Sequence, residues 1–119
     1  MGGKRLLMEQ LMFGVNEFQP GLNVTVRRGT KWALKFAQGV REVELADVYG
    51  KPLGLTGKIV AVRTCDFLGI PATWLQLEHD SSCMDLNGLL FAMRTAYPDF
   101  SVIEDVNVVF FEVDLNKDE

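Results

Sequence analysis

Histidine occurs once in this chain, at His79, and cysteine twice, at Cys65 and Cys83, with no CxxC pair. That scarcity excludes most zinc-site patterns, which need several such ligands at short spacing. Long apolar runs are missing too, so nothing approaches the roughly 20 residues that cross a bilayer. The opening MGGKRLLMEQLMFG carries a basic pair, but Glu9 and Gln10 break its apolar residues and no small-residue cleavage pattern follows. It does not read as a signal peptide. Repeats and low-complexity linkers are also absent, and 119 residues suit one domain spanning 1–119. A cytoplasmic chain with reduced thiols, no cofactor and no membrane contact is the expectation, although the sequence leaves a Cys65–Cys83 disulfide open.

What is present is ordinary for a globular protein: 48% hydrophobic and 24% charged residues. The net charge of -4 is unevenly spread. Residues 1–41 hold seven basic and two acidic side chains, a net of +5, whereas residues 42–119 hold five and 14, a net of -9. An acidic chain can still present one basic face, or the two groups can intermix on the folded surface.

Hydrophobic periodicity gives the elements. Leu6, Leu7, Gln10 and Leu11 could share a helical face, but Met12, Phe13 and Gly14 suit a strand equally well. QPGLN turns the chain into a half-buried strand over Leu22 to Arg28, with Val24 and Val26 on one side and Asn23, Thr25 and Arg27 on the other. A second strand follows Gly39, with Val43 and Leu45 inward and Glu42 and Glu44 outward. DVYGKPLG turns into a third strand over Leu55 to Thr64, where Ile59, Ala61 and Arg63 alternate with Lys58, Val60 and Val62. Pro71 fits the start of a short helix bearing Trp74, Leu75 and Leu77. Leu86, Leu89, Leu90 and Met93 fall at i, i+3, i+4 and i+7 of a helix over Asp85 to Ala96, with Ser82 placed as its cap. Tyr97 before Pro98 ends it. The final strand, Asp105 to Val113, is apolar on both faces and so belongs in the middle of a sheet. DLNKDE reads as a polar tail. The fold class is α+β: a small, mostly antiparallel β-barrel with two or three helices.

In order and spacing the chain resembles the ASCH family, a branch of the PUA-like β-barrel superfold. The likeness runs from about Phe18 to Val113 through PGLNVTVRR, the Gly39–Leu45 strand, the hairpin DVYGKPLGLTGKIVAV, and LLFAMRTAYPDF leading to VNVVFF. The family pattern G-x-K-x-x-E-x-R fits in two registers. With Arg28 in the Arg place, Gly21 falls on Gly, Asn23 on Lys and Val26 on Glu. With Arg27 there, Thr25 falls on the acidic place, Leu22 on Lys and Pro20 on Gly. Alternation favours the second register, because it puts Thr25 and Arg27 on one face. The resemblance implies binding of RNA or a modified nucleoside. Family members that hydrolyse acetylated cytidine also have Thr here, with a Lys just before the strand and a Glu near the second helical segment. In this chain Leu22 stands at the Lys place, Lys31 or Lys35 would have to reach in from the loop, and the Glu place falls among Glu78, Asp80 and Ser82. Those departures weigh against the enzyme.

The candidate cleft therefore carries Thr25, Arg27, Lys31 and Lys35 as binding residues, with Thr25, Lys31, Glu78 and Asp80 as the set for an amidohydrolase acting on N-acylated cytidine. Guanidinium pairs with phosphate, and the Gly29 N–H offers a further donor. The competing reading has Arg27 satisfied by Glu42 or Glu44. Trp32, Leu34 and Phe36 read as the inward face of a loop or strand, with Lys31 and Lys35 exposed. His79, between two acids, could act as a general base or a metal ligand, but a lone histidine in a polar loop reads first as a solvated residue, and Cys65 reads as a small core residue. A third possibility is a protein-binding accessory domain using the acidic surface of residues 42–119.

Overall fold

A computed structural model describes residues 8–15 and 17–113. Leu6, Leu7 and the polar tail lie outside the described residues. The strands are β1 (Glu9–Phe13), β2 (Gly21–Arg28), β3 (Glu42–Asp47), β4 (Pro52–Asp66) and β5 (Asp105–Val113). The helices are α1 (Lys31–Ala37), α2 (Ala72–Leu75) and α3 (Leu86–Ala96), with 3-10 turns at Phe67–Gly69 and Ser81–Cys83. The strands form one mixed sheet in the order β1-β3-β4-β5-β2. Three of its pairings are antiparallel and one, β1 with β3, is parallel. The class is thus α+β and mostly antiparallel. The expected barrel closure is not made: β1 and β2 are the two edges of an open sheet.

Both faces of this sheet are covered, which is why β5 carries Val and Phe without alternation. Val106 and Val108 join Val24, Val26, Phe67, Leu75, Leu89, Met93 and Phe100 on the side of α2 and α3. Val109, Phe111 and Val113 join Leu11, Phe13, Trp32, Val43, Leu45 and Ile59 on the other. β3 follows its alternation, with Val43 and Leu45 buried and Glu42 and Glu44 not. β4 departs from its own because a bulge lies between Ile59 and Ala61. The extra residue, Val60, is exposed, and Val62 rather than Ala61 continues the face of Ile59. β2 is buried on both sides from Asn23 to Val26 instead of being half-buried.

Two local details differ from the sequence expectation and a third settles an open one. Residues 31–37 are helical, although Trp32 is buried as expected. Thr30 supplies no side-chain cap there. Asn107 does the work from β5: its Oδ1 accepts from the Ala33 N–H at 2.7 Å while its Nδ2 donates to Thr64 Oγ1 at 2.9 Å. α3 is capped by Asp85 itself, which accepts from the Gly88 N–H at 2.8 Å, and not by Ser82. At β1, the pairing with β3 resolves the ambiguous segment as a strand.

Candidate functional site

The open side of the sheet holds the site. Backbone pairing continues briefly past β2: the Val24 N–H donates to Leu77 O at 2.8 Å, and the His79 N–H donates to Val24 O at 3.2 Å. Residues 77–79 thus add one parallel rung to the outer edge of β2. Val26, two residues on, turns its N–H and C=O the same way. No backbone partner meets them there among the described residues. A cleft of 670 Å³ opens at this point, walled by the end of β1, by β2, by residues 78–83 and by α3.

Thr25 and Arg27 line it together, as alternation requires. The Arg27 Nε donates to Thr25 Oγ1 at 3.2 Å, and its guanidinium carbon lies 4.8 Å from the centre of the Phe13 ring. Its terminal nitrogens donate to no protein group among the described residues, yet no buried side-chain nitrogen is left unpaired, so they reach solvent in the cleft. Burial lowers the Arg27 pKa to about 10, opposed by the negative charge of Glu78, and the group stays cationic at neutral pH.

Glu78 is almost wholly buried, at 3% exposure. Its Oε1 accepts from the Asp80 N–H at 3.1 Å and lies 2.6 Å from His79 Nδ1. The sequence reading of His79 as a solvated loop residue is wrong. Its ring stacks on Phe18, with centroids 5.6 Å apart, and meets Phe13 edge-on at 4.8 Å. Both phenylalanines lie more than 60 residues away in the chain. Local sequence gave no sign of that packing.

Asp80 lines the cleft but is committed to its own turn. It accepts from the Ser82 N–H at 3.0 Å and the Ser82 hydroxyl at 2.7 Å. Burial alone would raise its carboxyl, but these donors, with Cys83 and His79, hold it below its ordinary value. Cys83 beside it is pushed up to about 12 by burial and by Glu78 and Asp80, so it is a neutral thiol. Cys65 and Cys83 are both free.

The two lysines do not join this group. Lys31 is exposed and Lys35 half-buried on α1, and neither lines the cleft. Lys35 is held by Glu9 at 2.6 Å, so its side chain is not free as expected. Gly29 is not available for an anion either, because its N–H donates to Asp105 O at 3.1 Å. The acidic partners of the competing reading of Arg27, Glu42 and Glu44, play no such part, and Glu44 instead accepts from Gln10. The neighbouring Arg28 is the structural arginine: its Nε lies 2.7 Å from Glu104 Oε1 and its Nη1 3.1 Å from Asp99 Oδ1. The cleft is consequently of mixed charge and not basic. Among the described residues no group of His, Cys, Asp and Glu could hold a metal ion, and no helix is long and apolar enough to cross a membrane. Comparison of the chain with protein-family models, with curated proteins and with solved structures finds no match.

Proposed function

We propose that this cleft binds a single nucleobase, presented by a free modified nucleoside or by an unstacked residue of an RNA strand. The observation that carries this reading is Arg27. It is fixed at Nε by Thr25 and laid over Phe13, with its terminal donors left to a ligand. A guanidinium in that position donates in parallel to two adjacent acceptors of a base edge. The Val26 N–H and C=O and the Glu78 carboxylate add the mixed donors and acceptors that a base edge requires. The apolar wall of α3 suits the face of a flat ring. The order of elements that resembles the ASCH family agrees with this use, and a PUA-like relationship is part of the same proposal.

Because one cation serves the cleft, nucleoside binding depends little on salt. An RNA strand adds phosphate contacts from outside, for which Lys31 is placed on the surface. Amide chemical shifts of Thr25, Val26 and Arg27 are followed during titration with the four ribonucleosides and with short single-stranded RNA at two salt concentrations. Arg27→Ala abolishes the nucleoside response and flattens the RNA salt slope by about 1. A wild-type protein whose cleft amides respond to none of these ligands at low salt sinks the reading.

A further inference from the structure

His79 is held in one tautomer. Its Nδ1 faces two groups that only accept: Glu78 Oε1 at 2.6 Å and Val24 O at 3.3 Å. The neutral ring therefore carries its proton on Nδ1 and leaves the Nε2 lone pair bare. Nε2 has no protein partner among the described residues and is not sealed from solvent, since no buried side-chain nitrogen lacks a partner. Phe13 and Phe18 fix the plane of the ring. The same Phe13 ring carries the Arg27 guanidinium, and the imidazole centre and the guanidinium carbon each lie 4.8 Å from its centroid. A cation with free donors and a base that a buried carboxylate orients thus border the same aromatic ring. Asp80, Tyr97 and Cys83 are the other titratable groups around them, and Asp80 is turned away into its own hydrogen bonds.

We propose that Glu78 and His79 form a proton-transfer dyad that hydrolyses an acyl ester on a hydroxyl group of the nucleoside bound in this cleft. The inference rests on the nucleoside reading above. His79 Nε2 takes a proton from water as the water oxygen bonds to the ester carbonyl carbon. The carbonyl π pair moves to its oxygen, where a terminal Arg27 N–H that the base edge leaves free holds it. When that pair returns, the bond from carbon to the ribose oxygen breaks, and the leaving oxygen takes the proton from Nε2. The carboxylic acid loses its proton to solvent, and the imidazole is neutral again. Glu78 keeps its contact with Nδ1 throughout and acts as a positioning residue, holding the tautomer and supporting the transient imidazolium. An ester fits this equipment better than an amide, because among the described residues no lysine lines the cleft and Cys83 beside it is a neutral thiol.

The wild-type protein is incubated with the four 5′-O-acetyl ribonucleosides, and acetate release is followed by proton NMR. At least one is hydrolysed. His79→Gln lowers the rate about 100-fold, while Glu78→Gln lowers kcat about 10-fold with KM held. A long-range nitrogen–proton spectrum of the single histidine gives a readout independent of any variant: Nδ1 protonated and Nε2 bare. The opposite tautomer overturns the dyad, as does hydrolysis that His79→Gln leaves intact. Nucleosides that bind without any acetate release from their esters overturn the dyad and leave the binding reading standing. Failure of both binding and hydrolysis removes both.

Discussion

On the α3 side of β2, Arg28 forms hydrogen bonds with Glu104 and Asp99 and lies against Tyr97 and Phe100. On the β1 side, one residue earlier, Arg27 makes a single internal hydrogen bond among the described residues, to Thr25. The residue type is the same and the sequence positions adjoin, so the difference comes wholly from what the fold delivers to each face. The α3 side receives the loop after Tyr97, whose two acids meet the guanidinium in the open. The β1 side receives only an aromatic ring and one carboxylate already shared with His79. A saturated ion pair maintains the fold, whereas an arginine with spare donors beside a cavity is what ligand binding requires.

The sharpest way to break this contrast is to spoil the wall on the α3 side. A methyl group added at Gly88 would sit 1.8 Å from the Ser82 carbonyl oxygen, so α3 and the Ser81–Cys83 turn can pack only with glycine there. Gly88→Ala is expected to cost about 3 kcal/mol, read as a fall in the urea midpoint. Next in size is Arg28→Met. Arg28, through its hydrogen bonds, holds the Glu104 and Asp99 carboxyls below their ordinary values. Carboxyls depressed in this way stabilise the fold above their unfolded pKa values and lose that contribution as pH falls through the folded ones. Wild type should therefore lose stability on acidification over that range, and Arg28→Met should show a flatter profile there. A variant curve parallel to wild type would mean that the pair is idle.

Arg27→Met sharpens the comparison from the other side. Burial lowers the Arg27 pKa, which means that folding disfavours its charged form at neutral pH. Its removal should leave the melting temperature unchanged or higher, opposite in sign to Arg28→Met, while nucleoside binding is lost. A fall in stability as large as that of Arg28→Met would make Arg27 a structural residue like its neighbour.

The sequence disclosed most where a single element decides its own burial. Val43 and Leu45 of β3, the two-faced β5 and the i, i+3, i+4, i+7 stripe of α3 are each legible within about ten residues, because their period is their environment. Thr25 and Arg27 share the cleft for the same reason. What stayed hidden is set at long range. α1 alternates Trp32, Leu34 and Phe36 like a strand, and its helical start depends on Asn107 in β5. The bulge at Val60 reverses β4 against its pattern because β5 fixes the register. His79 looked solvated between two acids until Phe13 and Phe18 closed over it. Barrel closure was expected from the run of strands itself, but β1 and β2 do not pair with each other and the sheet stays open.

The smallest perturbation is a thiol reagent, and it tests the wall without altering it. Cys83 is 4% exposed, and its Sγ donates to Asp80 Oδ2 at 3.6 Å. Burial first, and then the charges of Glu78 and Asp80, push its pKa up from 9.0 to about 12, which leaves roughly a thousandfold less thiolate at neutral pH. A maleimide should therefore label Cys83 only through opening of the Ser81–Cys83 turn, at a rate that a bound nucleoside slows and Gly88→Ala raises. Cys65, at the end of β4 on the far side of β5 from β2, should respond to neither. Equal labelling of Cys83 in wild type and in Gly88→Ala would show that this wall is already open, and the contrast between a closed α3 side and an open β1 side would fall with it.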